Sequence, residues 1–128
     1  MKTKEDIIKF AKEVKKNRTE FVESEIERMT QKADIDMPWV LDNLQEEIEK
    51  RINKKDGYSD NSIYIDKLIK CYSEGNQPSI IARSYIDRVI TKLIDLGFDK
   101  VARNYTYETI EGENKWYYHV SITIDIRD

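Results

Sequence analysis

Residues 99–126 read DKVARNYTYETIEGENKWYYHVSITIDI. Before this stretch the apolar residues recur with a helical period; within it they recur every second residue. Val101, Arg103, Tyr105 and Tyr107 alternate with Ala102, Asn104, Thr106 and Glu108. On the return, Trp116, Tyr118, Val120, Ile122, Ile124 and Ile126 share one face, and Tyr117, His119, Ser121, Thr123 and Asp125 take the other. β-Branched and aromatic residues dominate both runs, as strands prefer. Between them, Gly112-Glu113 suits a two-residue type II′ loop, with glycine at its first position. That loop pairs Glu111 with Asn114, and therefore Tyr107 with Tyr118, Tyr105 with Val120 and Val101 with Ile124. The two apolar faces then coincide, and a slip of one residue would turn every side chain to the wrong side. A lone hairpin is marginal in water, so its apolar face needs a cover.

The nearest candidate cover precedes it. Ala82, Tyr85, Ile86, Val89, Ile90, Leu93 and Ile94 form a broad stripe at helical spacing, with Ser79 as its cap. Gly97 suits a left-handed stop, and Phe98 can fold back on Leu93. The spacing thus predicts a helix over 79–96. Further back, Thr3 and Asp6 suit a capping box, and Ile7, Ile8, Ala11 and Val14 begin a stripe that Phe21, Val22, Ile26, Met29 and Ala33 continue. Residues 4–33 form either one helix or two with a break near Asn17. Asp36-Met37-Pro38 reads as a fresh helix start, since proline is tolerated in a first turn, and Gly57 reads as that helix's stop. A shorter helix is expected over 62–74, capped at Asp60 and stopped at Gly75, with Ile63 to Ile65 as an alternative short strand. The stretch 74–79 reads as the flexible joint.

These elements make one α+β domain over 1–128: a helical half, 1–56, and a helix-helix-hairpin unit, 60–128. The expected architecture is three to four N-terminal helices packed on a C-terminal antiparallel β-hairpin, with room for a short third strand near 62–66. At 128 residues the chain is long enough to bury a core without staples, and its one cysteine, Cys71, forms no internal disulfide. No apolar run approaches the ~20 residues that span a bilayer, so a cytoplasmic protein with no membrane contact is expected. Abundant Ile, Lys, Asn and Tyr fit an AT-rich genome, such as that of a low-GC bacterium or its phage. Net charge is −3, unlike the basic surface of a general nucleic-acid binder. The charge is segmented, however. Residues 1–18 carry seven basic and three acidic side chains, and 19–49 carry ten acidic against Arg28 and Lys32.

Sequence signals for catalysis are sparse. His119 and Cys71 are single copies of their kinds and could form a nucleophilic pair only if the fold joined them. Cys71 reads more simply as a small buried hydrophobe, and His119, off the apolar face, as an exposed or rim residue. Paired cysteines, helically spaced histidines and a glycine-rich phosphate loop are all missing from the sequence. No catalytic residue, metal ligand or cofactor is therefore expected. Asp99 with Glu113-x-Lys115 mimics a nuclease spacing, but the hairpin separates the two carboxylates by on the order of 40 Å.

The leading expectation is a non-enzymatic binding or accessory protein that works through protein contacts. Its surface would be the outer hairpin face, with Tyr117, His119, Thr106 and Asn104. Homodimerisation, through a sheet edge or the long first helix, is open. An alternative comes from element order. A short helix, the turn Gly75-Asn76-Gln77-Pro78, a longer helix, Gly97 and a hairpin resemble the order in winged-helix DNA-binding domains, with 89–98 as the end of a recognition helix and Asn114-Lys115-Trp116-Tyr117-Tyr118 as a returning wing. The resemblance covers about half of the chain. It implies a nucleic-acid-binding regulator using helix 79–96 and hairpin 99–126, with Arg83, Arg88, Lys92 and Arg103 on phosphate.

Overall fold

The computed structural model describes residues 1–52, 62–66 and 68–125, with backbone alone at Ile52 and Ser62. Along the chain run α1 (Lys4–Ile52), β1 (Ser62–Ile65), β2 (Lys70–Glu74), α2 (Ile80–Asp95), β3 (Lys100–Ile110) and β4 (Glu113–Asp125). The class is α+β as expected, but the described residues form two helices and a four-stranded antiparallel sheet. The stop at Gly57, the cap at Asp60 and Ile126 lie outside the described residues.

α1 is continuous through Asn17, the first of the two readings, and it also runs through the expected start at Asp36-Met37-Pro38. Its start is the capping box: the Thr3 amide donates to Asp6 Oδ2 at 3.0 Å, and the Asp6 amide donates to Thr3 Oγ1 at 3.2 Å. Pro38 sits inside the helix, where it lacks the N–H that would bond the Asp34 carbonyl. The helix survives because Ala33, Met37, Val40 and Leu44 stay in phase across the proline and are all buried in one core. Packing there outweighs the local break, which is why Asp36-Met37-Pro38 is no new start.

The expected helix over 62–74 is two strands. β4 is the spine of the sheet. β3 pairs with it from Lys100↔Thr123 to Ile110↔Glu113, while β1 pairs with its far end (Ile65↔Ile122) and β2 with its near end (Lys70↔His119). Since β3 covers both stretches, β1 and β2 lie end to end on the opposite edge. Between them, four residues of the edge pass two of β4, a bulge anchored by the Leu68 amide on the Val120 carbonyl at 3.2 Å. Leu68 and Ile69 are both buried there. With Ile65 and Tyr72 they give the sequence its helix-like spacing.

The hairpin forms, in a frame two residues from the expected one. Its loop is Glu111-Gly112, with φ +47° and +81°, and Ile110 pairs with Glu113. Positive φ at both loop positions is the type I′ geometry, which matches strand twist. Glycine takes the second loop position, so Tyr105 faces Tyr118 and Tyr107 faces Trp116. An even shift preserves both faces. The Tyr107 and Trp116 rings lie 4.9 Å apart, and Tyr105 lies 5.6 Å from Trp116.

α2 covers the apolar face: its Ile86, Val89 and Leu93 and the strand residues Tyr118, Val120 and Ile122 are all fully buried. Ser79 caps it by accepting from the Ile81 amide at 3.2 Å. It ends with Gly97 at φ +101°, the Phe98 amide on the Leu93 carbonyl and the Gly97 amide on the Ile94 carbonyl, a paired closure that suits glycine. The expected joint over 74–79 is tied at three points: Gly75 N–H to the Asn114 carbonyl, Ser79 N–H to Ser73 Oγ, and Asn114 Nδ2 to Asn76 Oδ1. No described helix is long and apolar enough to cross a membrane.

Pro38 is exposed, so Pro38→Ala removes little packing and restores one helical hydrogen bond. It is expected to raise stability by about 1–3 kcal/mol, read from the midpoint of urea unfolding. A midpoint that falls would show that the proline is not a defect.

Candidate functional site

A cleft of about 700 Å³ opens between α1 and β2. Met29, Lys32, Asp36 and Trp39 form its helical wall, β2 its opposite wall, and Ala82 and Tyr85 of α2 are among the residues between. Helical spacing puts all four wall residues of α1 on one side. Trp39 is 56% exposed, a large indole left in solvent at the rim. The Tyr85 hydroxyl donates to Asp36 Oδ2 at 2.7 Å, and Lys32 Nζ lies 5.5 Å from the centre of the Tyr85 ring. Burial, and then the Asp36 carboxylate, push the Tyr85 phenol well above its ordinary range. At neutral pH it is a fixed donor that braces the two helices.

The β2 wall offers backbone. Gly75 N–H bonds the Asn114 carbonyl in the frame that pairs Glu74 with Lys115. Antiparallel ladders alternate, so Cys71 and Ser73 also turn their peptide groups toward β4. Lys70, Tyr72 and Glu74 turn theirs the other way, and among the described strands β2 pairs only with β4. The β2 edge therefore presents outward-facing N–H and C=O groups beside the cleft.

Cys71 lies inside, its Sγ 3.9 Å from the Ala82 carbonyl. Burial pushes its thiol up to about 11, with Lys32 drawing it back slightly. His119 pairs with Lys70, the neighbour of Cys71, and so sits on the opposite face of the sheet. The two cannot act as a nucleophilic pair.

The outer face gathers the four residues expected to bind protein. Asn104 is opposite His119, and Thr106 is opposite Tyr117. Asn104 and Thr106 are exposed and Tyr117 is half-buried. His119 departs from expectation: it is 8% exposed, because a central strand sets neighbours on both sides of it. β2 extends this surface, with Lys70 Nζ 4.4 Å above the Tyr117 ring and Tyr72 6.3 Å from it. Lys70 and Tyr72 thus belong to the cleft and to the outer face at once. The sequence reading missed Trp39, Lys32 and Asp36. The available signal was a tryptophan off the apolar stripe of its own helix.

The four cations expected on nucleic acid are placed differently. Arg88 grips Asp34 of α1 with two bonds, at 2.8 and 3.2 Å, and Lys92 lies 3.9 Å from the same carboxylate. Arg103 pairs with Asp87, which accounts for an arginine on the apolar face of β3. Arg83 is half-buried. Arg88 and Lys92 thus lie on the seam between α1 and α2. With the segment 62–74 folded as strands, the short helix before the turn is also missing.

Protein family models, curated proteins and solved structures were all compared with this chain. None matches it.

Cys71 labelling tests the cleft directly, since it is the sole cysteine. A thiol raised to about 11 holds little thiolate at pH 7.5. Labelling of the folded chain is expected to run at least tenfold slower than that of the urea-unfolded chain, and to accelerate with pH up to about 11. Equal rates at pH 7.5 would contradict the burial. Arg88 holds the Asp34 carboxyl below its usual range. A lowered carboxylate contributes stability above its unfolded value, which is lost as pH falls through the folded one. Asp34→Asn is therefore expected to destabilise at pH 7, to begin converging with the parent chain below about pH 4 and to meet it only below the lowered folded value, in unfolding curves taken across pH.

Proposed function

We propose that this chain is a non-enzymatic binding protein that takes an extended segment of a protein partner along the edge of β2. The observation that carries the reading is the orientation of the Lys70, Tyr72 and Glu74 peptide groups, away from β4 and beside a cleft of about 700 Å³. A strand laid there gains main-chain hydrogen bonds, and its side chains alternate between two surfaces. One set meets Trp39 and the cleft. The other meets Tyr72, Tyr117 and Lys70 on the outer face. Exposed aromatics at such an edge add contact area at small entropic cost. The preferred segment would alternate aromatic or aliphatic residues and avoid proline at donor positions. The separation of Cys71 from His119 supports the non-enzymatic side of the reading.

The test is selection of random peptides on the folded chain, followed by amide NMR of the isotope-labelled protein with each selected peptide. The Lys70, Tyr72 and Glu74 amides are expected to shift and to gain protection from hydrogen exchange. Trp39→Ala is expected to weaken binding by about tenfold or more. Methylating alternate peptide nitrogens is expected to abolish it. Selected peptides that shift only α2, or that tolerate nitrogen methylation throughout, would overturn strand addition. Turnover of a bound molecule, lost on one point substitution, would overturn the non-enzymatic reading.

A further inference from the structure

The N-terminal part of α1 is exposed on every side among the described residues. Residues 1–21 are all exposed, and Val22 is the first to be even half-buried. Residues 4–21 therefore project as an arm about 27 Å long at ~1.5 Å per residue. The arm is not polar throughout. Ile7 is 57% exposed, Phe10 67%, Val14 48% and Phe21 62%, and on the body of the protein Ile35 is 76% exposed. Ile7, Val14, Phe21 and Ile35 stand at multiples of seven residues, with Arg28 at the remaining step. This stripe lies roughly 130° round the helix, on average, from Ala33, Met37, Val40 and Leu44, the residues that face the core. An apolar repeat of seven on a helix of 3.6 residues per turn is the pattern that a second helix follows by left-handed winding.

We propose that this stripe pairs with the same stripe of a second copy of the chain, the two α1 helices running antiparallel about a two-fold axis near Phe21. Two observations select this occupant and this direction. The ends of the stripe are symmetric about Phe21, with Ile7 and Ile35 each two heptads away. An antiparallel pair therefore sets Phe21 on Phe21 of the second copy and Ile7 on its Ile35, a self-complementary contact. Val14 and Phe10 then meet Arg28 and Lys32 of the second copy, whose aliphatic stems can cover apolar surface while their charged heads stay in water. The charge segments agree. Residues 1–18 carry seven basic and three acidic groups, and residues 24–41, which lie beside them about this axis, carry four acidic and two basic. An antiparallel pair brings the basic arm of each copy beside the acidic stretch of the other, whereas a parallel pair stacks like on like. This pairing is independent of strand addition at β2, although Lys32 and Trp39 of the cleft wall lie close to both surfaces.

Sedimentation equilibrium of the full chain over micromolar concentrations decides it. A species of twice 15.3 kDa is expected, dissociating several-fold more readily at 0.5 M salt than at 0.05 M. Val14→Glu and Ile7→Glu are expected to give folded monomers whose thermal midpoint, unlike that of the parent chain, no longer depends on protein concentration, since neither side chain packs on the body. Direction is read in a Cys71→Ala background. Phe21→Cys is expected to form a disulfide dimer under mild oxidation, Ile7→Cys alone is not, and an equimolar mixture of Ile7→Cys with Ile35→Cys is. A chain that stays monomeric at 100 μM, a dimer indifferent to Val14→Glu, or Ile7→Cys chains that cross-link to one another would each overturn the proposal.

Discussion

The fold rests on the inner face of β4 pressed against α2. Tyr118, Val120 and Ile122 meet Ile86, Val89 and Leu93, and all six are fully buried. Every other strand is held through β4. Its odd-numbered residues bond β3, and its even-numbered residues bond β2 and β1, so one 13-residue strand carries both ladders. The candidate cleft follows from this arrangement. β2 reaches only the near end of β4, nothing described pairs with its outer side, and α2 holds α1 at a distance across it through Arg88–Asp34 and Tyr85–Asp36.

How much of this could be read beforehand depended on whether a local pattern had one meaning. The period-two alternation after Asp99 had one, and the strands, their faces and the helix above them follow from it. The frame of the hairpin was less determined. Gly112 can serve a loop that begins at it or one that ends at it, the two frames share the same faces, and the choice passed to ring packing at Trp116 and to a left-handed Glu111. The segment 62–74 misled for a concrete reason. A bulge buries Leu68 and Ile69 side by side, and strand alternation interrupted that way looks helical. Pro38 misled in the opposite direction, because burial of residues on both sides of it holds a helix together that local preference would end.

The candidate site was half legible. Tyr117, His119, Asn104 and Thr106 do share one face, since alternation alone decides it. The cleft beside them was hidden, because its walls are separated by more than thirty residues in sequence and its main chemistry is the backbone of an edge strand. No residue type announces an open edge. The cations expected on phosphate were visible in sequence, but their partners Asp34 and Asp87 could only be found in space.

β4 follows all of its partners in the chain. β1, β2 and β3 make no ladder with one another, so a nascent polypeptide that has not yet reached residue 113 possesses none of the described ladders. Until then, the three strand segments have no ladder partner, and α2 has only α1 to lie on. Assembly of this half of the molecule is a single late event, in which one strand recruits everything made before it.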